Sequence, residues 1–158
     1  MLSTIITSDM KKIILALAVL AFQLSFSQQK GTVKIVESKK IELTSELSKD
    51  KIDLYNQSFL KFVAALKASD KNAVSSLISD KVKDIVNDNI IQKLSGGISF
   101  ERKTEVYKSG YQKLLDNATY PAIQYRYADD ALDPPRDIIT VIFEEDGKIL
   151  GVKPEYSK

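Results

Sequence analysis

The 158-residue chain contains no cysteine, no histidine and no tryptophan. Without cysteine there is no disulfide framework, no thiolate nucleophile, no iron–sulfur ligand set and no acylation site of the lipoprotein kind. Without histidine the usual general base near neutral pH is missing, as is the commonest zinc and copper ligand. Ser-His-Asp and Cys-His sites are therefore excluded. Glycine and proline are scarce, at six and four residues, which excludes collagen-like and low-complexity chains. Charge is nearly balanced, 23 basic against 21 acidic side chains, so electrostatics gives no case for nucleic acid as a partner.

What is present begins with an export signal. Lys11 and Lys12 precede an apolar run from Ile13 to Phe22, and Ser25 and Ser27 follow it. A short basic region, an apolar core and small residues at −3 and −1 describe a secretory signal peptide. Residues 1–27 are read as that signal, with Met10 as the better start and cleavage after Ser27. The stretch Ile13–Phe26 carries Gln23 and Ser25 and falls short of the ~20 residues of a spanning helix. No membrane span is expected after cleavage, and the product is expected in the periplasm or outside the cell. Residues 28–47 read as an N-terminal extension, with weak strand alternation at Thr32–Val36 and again at Ile41 and Leu43. Residues 48–158 read as a single α+β domain.

The strongest element in that domain is a helix over Lys51–Ala68. Ile52, Tyr55, Phe59, Phe62, Val63 and Leu66 recur at three-and-four spacing, which makes one apolar face. Ser48 or Asp50 supplies its N-cap. Asp70 caps a short helix over Lys71–Ile78, and Val82, Ile85 and Val86 mark a further turn or two. Asp88 precedes a helix through Ile90, Ile91 and Leu94, with Gly96-Gly97 expected to end it in a left-handed cap. After Gly97 the pattern turns to strands: Tyr120–Tyr127, then Asp137–Glu144, a hairpin turn at Asp146-Gly147, and Ile149–Val152. The loop Ala128–Arg136 reads as exposed and acidic. Residues 104–116 suit either a strand or a helix, because Tyr107, Tyr111, Leu114 and Leu115 fit a helical face that Ser109-Gly110 weakens.

The run Phe59-Leu-Lys-Phe-Val-Ala-Ala-Leu-Lys-Ala-Ser-Asp70, with Leu77-Ile78 and Asp80 after it, resembles the opening of small exported domains. So does the closing Ile139-Thr-Val-Ile-Phe-Glu-Glu-Asp-Gly-Lys-Ile-Leu-Gly151. These are domains of the nuclear-transport-factor-2-like, cystatin-like superfamily. The resemblance implies an α+β fold with N-terminal helices packed on a C-terminal antiparallel sheet, cone-like in shape. Enzymes of that superfamily commonly use histidine inside the cone, so no catalytic residue carries over to this chain.

Few residues point to chemistry. Asp80, Asp84 and Asp88 lie at i, i+4 and i+8, and Asp129, Asp130, Asp133 and Asp137 surround a Pro-Pro pair. Lys81 and Lys83 interleave the first set, in which Asp80 and Asp88 look like caps, and the second lacks the central glycine and terminal glutamate of a calcium loop; no metal or cofactor is expected. The sequons at Asn56 and Asn117 occur at the frequency of chance. The aromatic group Phe100, Tyr107, Tyr111, Tyr120, Tyr125 and Tyr127, with Arg126, is the candidate binding set, since tyrosine offers an apolar body with a polar tip. The same residues suit plain packing of helix on sheet. The expected role is a non-catalytic exported binding or accessory domain for a small apolar or aromatic ligand or an envelope protein. The competing reading is a cone-fold enzyme using a carboxylate such as Glu105 or Asp116 with a tyrosine.

Overall fold

The computed structural model describes residues 43–156. The expected signal peptide and the strand at Thr32–Val36 lie outside those residues. Three helices come first: α1 Lys49–Lys67, α2 Lys71–Leu77 and α3 Asp88–Gly97. Four strands follow: β1 Thr104–Lys113, β2 Thr119–Tyr127, β3 Asp137–Phe143 and β4 Ile149–Tyr156. They form one antiparallel meander in the order β1-β2-β3-β4. The fold class is thus α+β, with helices before the sheet.

Helix α1 forms where the apolar spacing predicts it. Ser48 caps it by accepting from the Lys51 amide, and Tyr55, Phe59, Phe62, Ala65 and Leu66 are buried along one face. The helix stops because Ser69 turns left-handed, at φ 54. The Asp70 amide then bonds the Ala65 carbonyl and the Ser69 amide bonds that of Leu66, a Schellman closure made without glycine. Asp70 serves at once as the N-cap of α2, accepting from the Ala73 amide at 2.9 Å.

One face of the sheet receives α1. Phe59 stacks on Tyr125 with ring centroids 4.1 Å apart, and Tyr55 stacks on Phe143 at 4.8 Å. Strand period then places Ile123, Tyr125 and Tyr127 on that face with Ile139, Val141 and Phe143. All six are buried. The β3–β4 turn is the expected one: Gly147 has φ 90, where an L side chain is strained.

The structure settles one open reading and corrects several expectations. Residues 104–113 are a strand, and its bulge between Val106 and Lys108 breaks the alternation that would have marked it. Gly96 and Gly97 belong to α3, whose cap is Ile98 at φ −118. Gly97 serves close approach instead, since a Cβ there would meet Pro154 Cγ at 3.1 Å. Asn87 is the N-cap of α3, and Asp88 is its first residue. In the acidic loop Asp130 is buried, accepting from the amides of Leu132, Arg136 and Asp137.

Part of the segment read as an extension is built into the fold. Leu47 is buried in the core, and Thr44 exchanges backbone hydrogen bonds with Tyr111, each 2.9 Å. Gly110 makes this possible, because a Cβ there would fall 2.6 Å from the Ser45 carbonyl oxygen and 2.9 Å from Leu43 Cβ. Gly110→Ala is expected to detach this segment from β1. Amide exchange at Thr44 and Tyr111 checks it: both speed up in the variant while the β2 and β3 amides stay protected.

Candidate functional site

The aromatic set is distributed over the sheet rather than gathered. Tyr125 and Tyr127 lie in the core. The Tyr127 hydroxyl accepts from the Ser99 amide at 2.9 Å, and the Arg102 guanidinium lies over its ring, 4.0 Å from the centroid. Arg102 is itself held by Asp129 and by Asp137; these bonds raise its pKa and lower that of Asp129. Tyr111 accepts from Lys51 Nζ at 2.8 Å, and the same ammonium pairs with Glu145 at 2.7 Å. Phe100 is half-buried against the core.

The remaining members lie elsewhere. Tyr107 donates to Asp133 at 2.8 Å, which pushes its phenol up. Tyr120 donates to Asp116 at 2.9 Å, and burial followed by that bond pushes it up to about 12. Arg126 binds Glu105 at 2.6 Å. Arg126 pairs in register with Ile138, whereas Tyr125 pairs with Ile139, so the two lie on opposite faces of the sheet. These tyrosines close turns, loops and the core. None of them lines the apolar concavity between α2, α3 and β4.

The carboxylates behave likewise. The stretch after α2 is a series of turns, so Asp80, Asp84 and Asp88 do not share a helix face. Asp80 pairs with Lys83, which holds it below its ordinary pKa, and Asp88 pairs with Lys71. Glu105 and Asp116 are occupied as described, and neither lines the concavity between α2, α3 and β4. Among the described residues no group of three acidic side chains is placed to hold a metal ion.

The concavity lies where α2 and α3 meet β4. It is an apolar cavity of about 40 Å³, lined by Phe62, Val74, Ile78, Val82, Val86, Ile90, Ile91, Leu94, Ile149, Leu150, Gly151 and Val152. Its floor is the deeply buried set Phe62, Val74, Val82 and Ile149, while Val86, Ile91 and Leu94 are half-buried. The position exists because Ile78 bridges to Ile149 and the Ser79 amide bonds the Ile149 carbonyl at 2.8 Å. That anchor draws α2 onto the start of β4. The chain then returns through turns, and α3 closes over the gap. No lining side chain has a hydroxyl, amide or charge, so the side chains offer volume and dispersion contacts, and any polar contact comes from backbone.

Sequence reasoning assigned these residues to helix faces and to the strand Ile149–Val152. A signal was nonetheless present: Ile85-Val86 and Ile90-Ile91 are adjacent apolar pairs, more apolar surface than one helix face uses. No helix among the described residues is long and apolar enough to cross a membrane. No family model, no curated protein and no solved structure matches the chain.

Proposed function

We propose that this chain is an exported, non-catalytic binding domain whose ligand is a small apolar molecule held between α2, α3 and β4. One observation carries this reading: every side chain that lines the cavity is apolar, while the carboxylate–tyrosine pairs Tyr107–Asp133 and Tyr120–Asp116 are engaged in closing a turn or loop. Acid–base chemistry needs a titratable group within reach of a bound substrate, and this cavity brings none. The export signal and the resemblance to small cone-fold domains support the same reading, since a long helix preceding an antiparallel sheet is the arrangement that resemblance implies.

The test is to fill the space. Ile91 is half-buried at the cavity, so a larger side chain has room to settle without entering the main core. In Ile91→Trp, saturable binding of the fluorescent fatty acid cis-parinaric acid is expected to fall at least about tenfold, while the far-UV circular dichroism stays that of the parent. Undiminished binding in a folded Ile91→Trp protein would contradict the assignment of the site.

A further inference from the structure

The sheet has a second face, and the helices do not account for its burial. Strand alternation turns Ala122, Gln124, Thr140, Ile142 and Lys153 away from α1. An uncovered sheet face leaves its side chains in water. Here Ala122 and Thr140 are wholly buried, Ile142 is 2% exposed, and Gln124 and Lys153 are buried as well. Helix α1 stacks on Tyr125 and Phe143. Helix α3 meets Pro154, which pairs with Ile139. Both therefore pack on the opposite side, and α2 reaches the sheet at its margin, where Ile78 bridges to Ile149.

Two cross-strand rows organise this outer face. Gly110, Ala122, Ile142 and Gly151 lie side by side over the four strands, and so do Lys108, Gln124, Thr140 and Lys153. The first row has little side chain except at Ile142, so it forms a shallow apolar channel across the strands, with the polar row as one bank. The channel begins at the β1 edge, where the N-terminal segment arrives. Thr44 bridges to Tyr111 there, and a Cβ at Gly110 would fall 2.9 Å from Leu43 Cβ, which puts Leu43 at the channel's mouth. The chain before Leu43 has the reach to continue. Residues 28–42, fully extended, span roughly 50 Å at ~3.3 Å per residue, against about 15 Å across four strands. They carry Val33, Ile35, Val36 and Ile41, apolar side chains suited to the channel. Their backbone also offers a partner for Thr140 Oγ1, which is buried without a hydrogen bond among the described residues. We propose that residues 28–42 dock across this outer face and form its cover, extending the contact that residues 43–45 make with β1.

The absence of cysteine from the chain makes the experiment direct. In the intact exported protein, Thr140→Cys introduces one thiol on the outer face. Its reaction with dithiobis(nitrobenzoate) is expected to be at least about a hundredfold slower than in urea-unfolded protein. Adding Val33→Asp and Ile35→Asp is expected to speed it at least about tenfold, while the Ile123 amide on the other face stays protected from exchange. A second measurement places p-benzoylphenylalanine at Lys108, an exposed position at the end of the polar row. Irradiation is expected to join it to a peptide from residues 28–42 of the same molecule. A Thr140→Cys thiol that reacts in the folded protein as fast as in urea would overturn the cover. A rate that the aspartate pair leaves unchanged would overturn residues 28–42 as its occupant. Protection lost on dilution, or crosslinks between molecules, would assign the face to a second copy and overturn the proposal as well. Should a cysteine variant unfold, the crosslink decides alone, and attachment confined to residues outside 28–42 overturns it.

Discussion

Replacing Phe59 with alanine lowers the free energy of unfolding by about 3–5 kcal/mol, the range for deleting a fully buried aromatic side chain. The size of the effect follows from where Phe59 sits. It is wholly buried in the middle of α1 and stacks on Tyr125 in the middle of β2. Its loss removes the transfer energy of the ring, leaves a void between helix and sheet, and forfeits a ring pair worth roughly 0.5–1.5 kcal/mol beyond area. Against a total of about 5–15 kcal/mol for a domain of ordinary stability, that is a large fraction. Urea unfolding of parent and variant measures it. A loss below about 1 kcal/mol would mean that α1 does not rest on this face of the sheet.

The companion substitution Tyr125→Phe separates packing from polarity. Among the described residues the buried Tyr125 hydroxyl has no hydrogen-bond partner, so removing it discards a desolvation cost and keeps the stack. Equal or slightly greater stability is expected. If Tyr125→Phe were destabilising by more than about 1 kcal/mol, the hydroxyl would have a partner in solution.

The second large effect concerns alkaline pH. Burial is the leading cause that pushes the phenols of Tyr55, Tyr120 and Tyr156 up to about 12, and it pushes Tyr125 higher still. Each of these groups has a folded pKa above its unfolded value near 10, so the folded state holds its proton more tightly. Their contribution to stability is therefore fully present below pH 10 and is lost as pH rises through the folded values. Stability should stay level from pH 7 to 9 and fall progressively above 10, with the tyrosinate absorbance near 295 nm lagging behind that of the unfolded chain. Titration of all the phenols at their ordinary pKa in the folded protein would contradict the burial of this set.

How far the sequence carried the account depends on what sets each element. Helix α1 was legible because its boundary residues and its apolar period agree: Ser48 caps, the face repeats, and Asp70 restarts the chain. The β3–β4 hairpin was legible for the same reason, with a run of β-branched residues ended by Asp-Gly. Strand β1 was not, because its bulge puts Tyr107 out of phase with Val106 and Lys108. Gly96-Gly97 misled because a glycine needed for close approach reads the same as one needed for positive φ; only Pro154, more than fifty positions later, tells them apart.

The candidate site was the least legible part. Tyrosines that crowd together in sequence fall on opposite faces of adjoining strands, and the hydroxyls of Tyr107 and Tyr120 find carboxylates in a neighbouring loop and turn. The cavity instead gathers apolar residues from α1, α2, the turns after it, α3 and β4, each of which looks like ordinary core when read alone. Only the bridge from Ile78 to Ile149, a contact across seventy residues, brings them around one space.

The central claim is that this space binds a small apolar molecule, and methyl-resolved NMR of the intact protein titrated with decanoate tests it most directly. The account predicts saturable shifts at the methyls of Ile90, Ile91, Leu94 and Val152, with the ring signals of Tyr107, Tyr111 and Tyr120 unmoved. Shifts centred on those tyrosines, or no saturable shift at all, would contradict it.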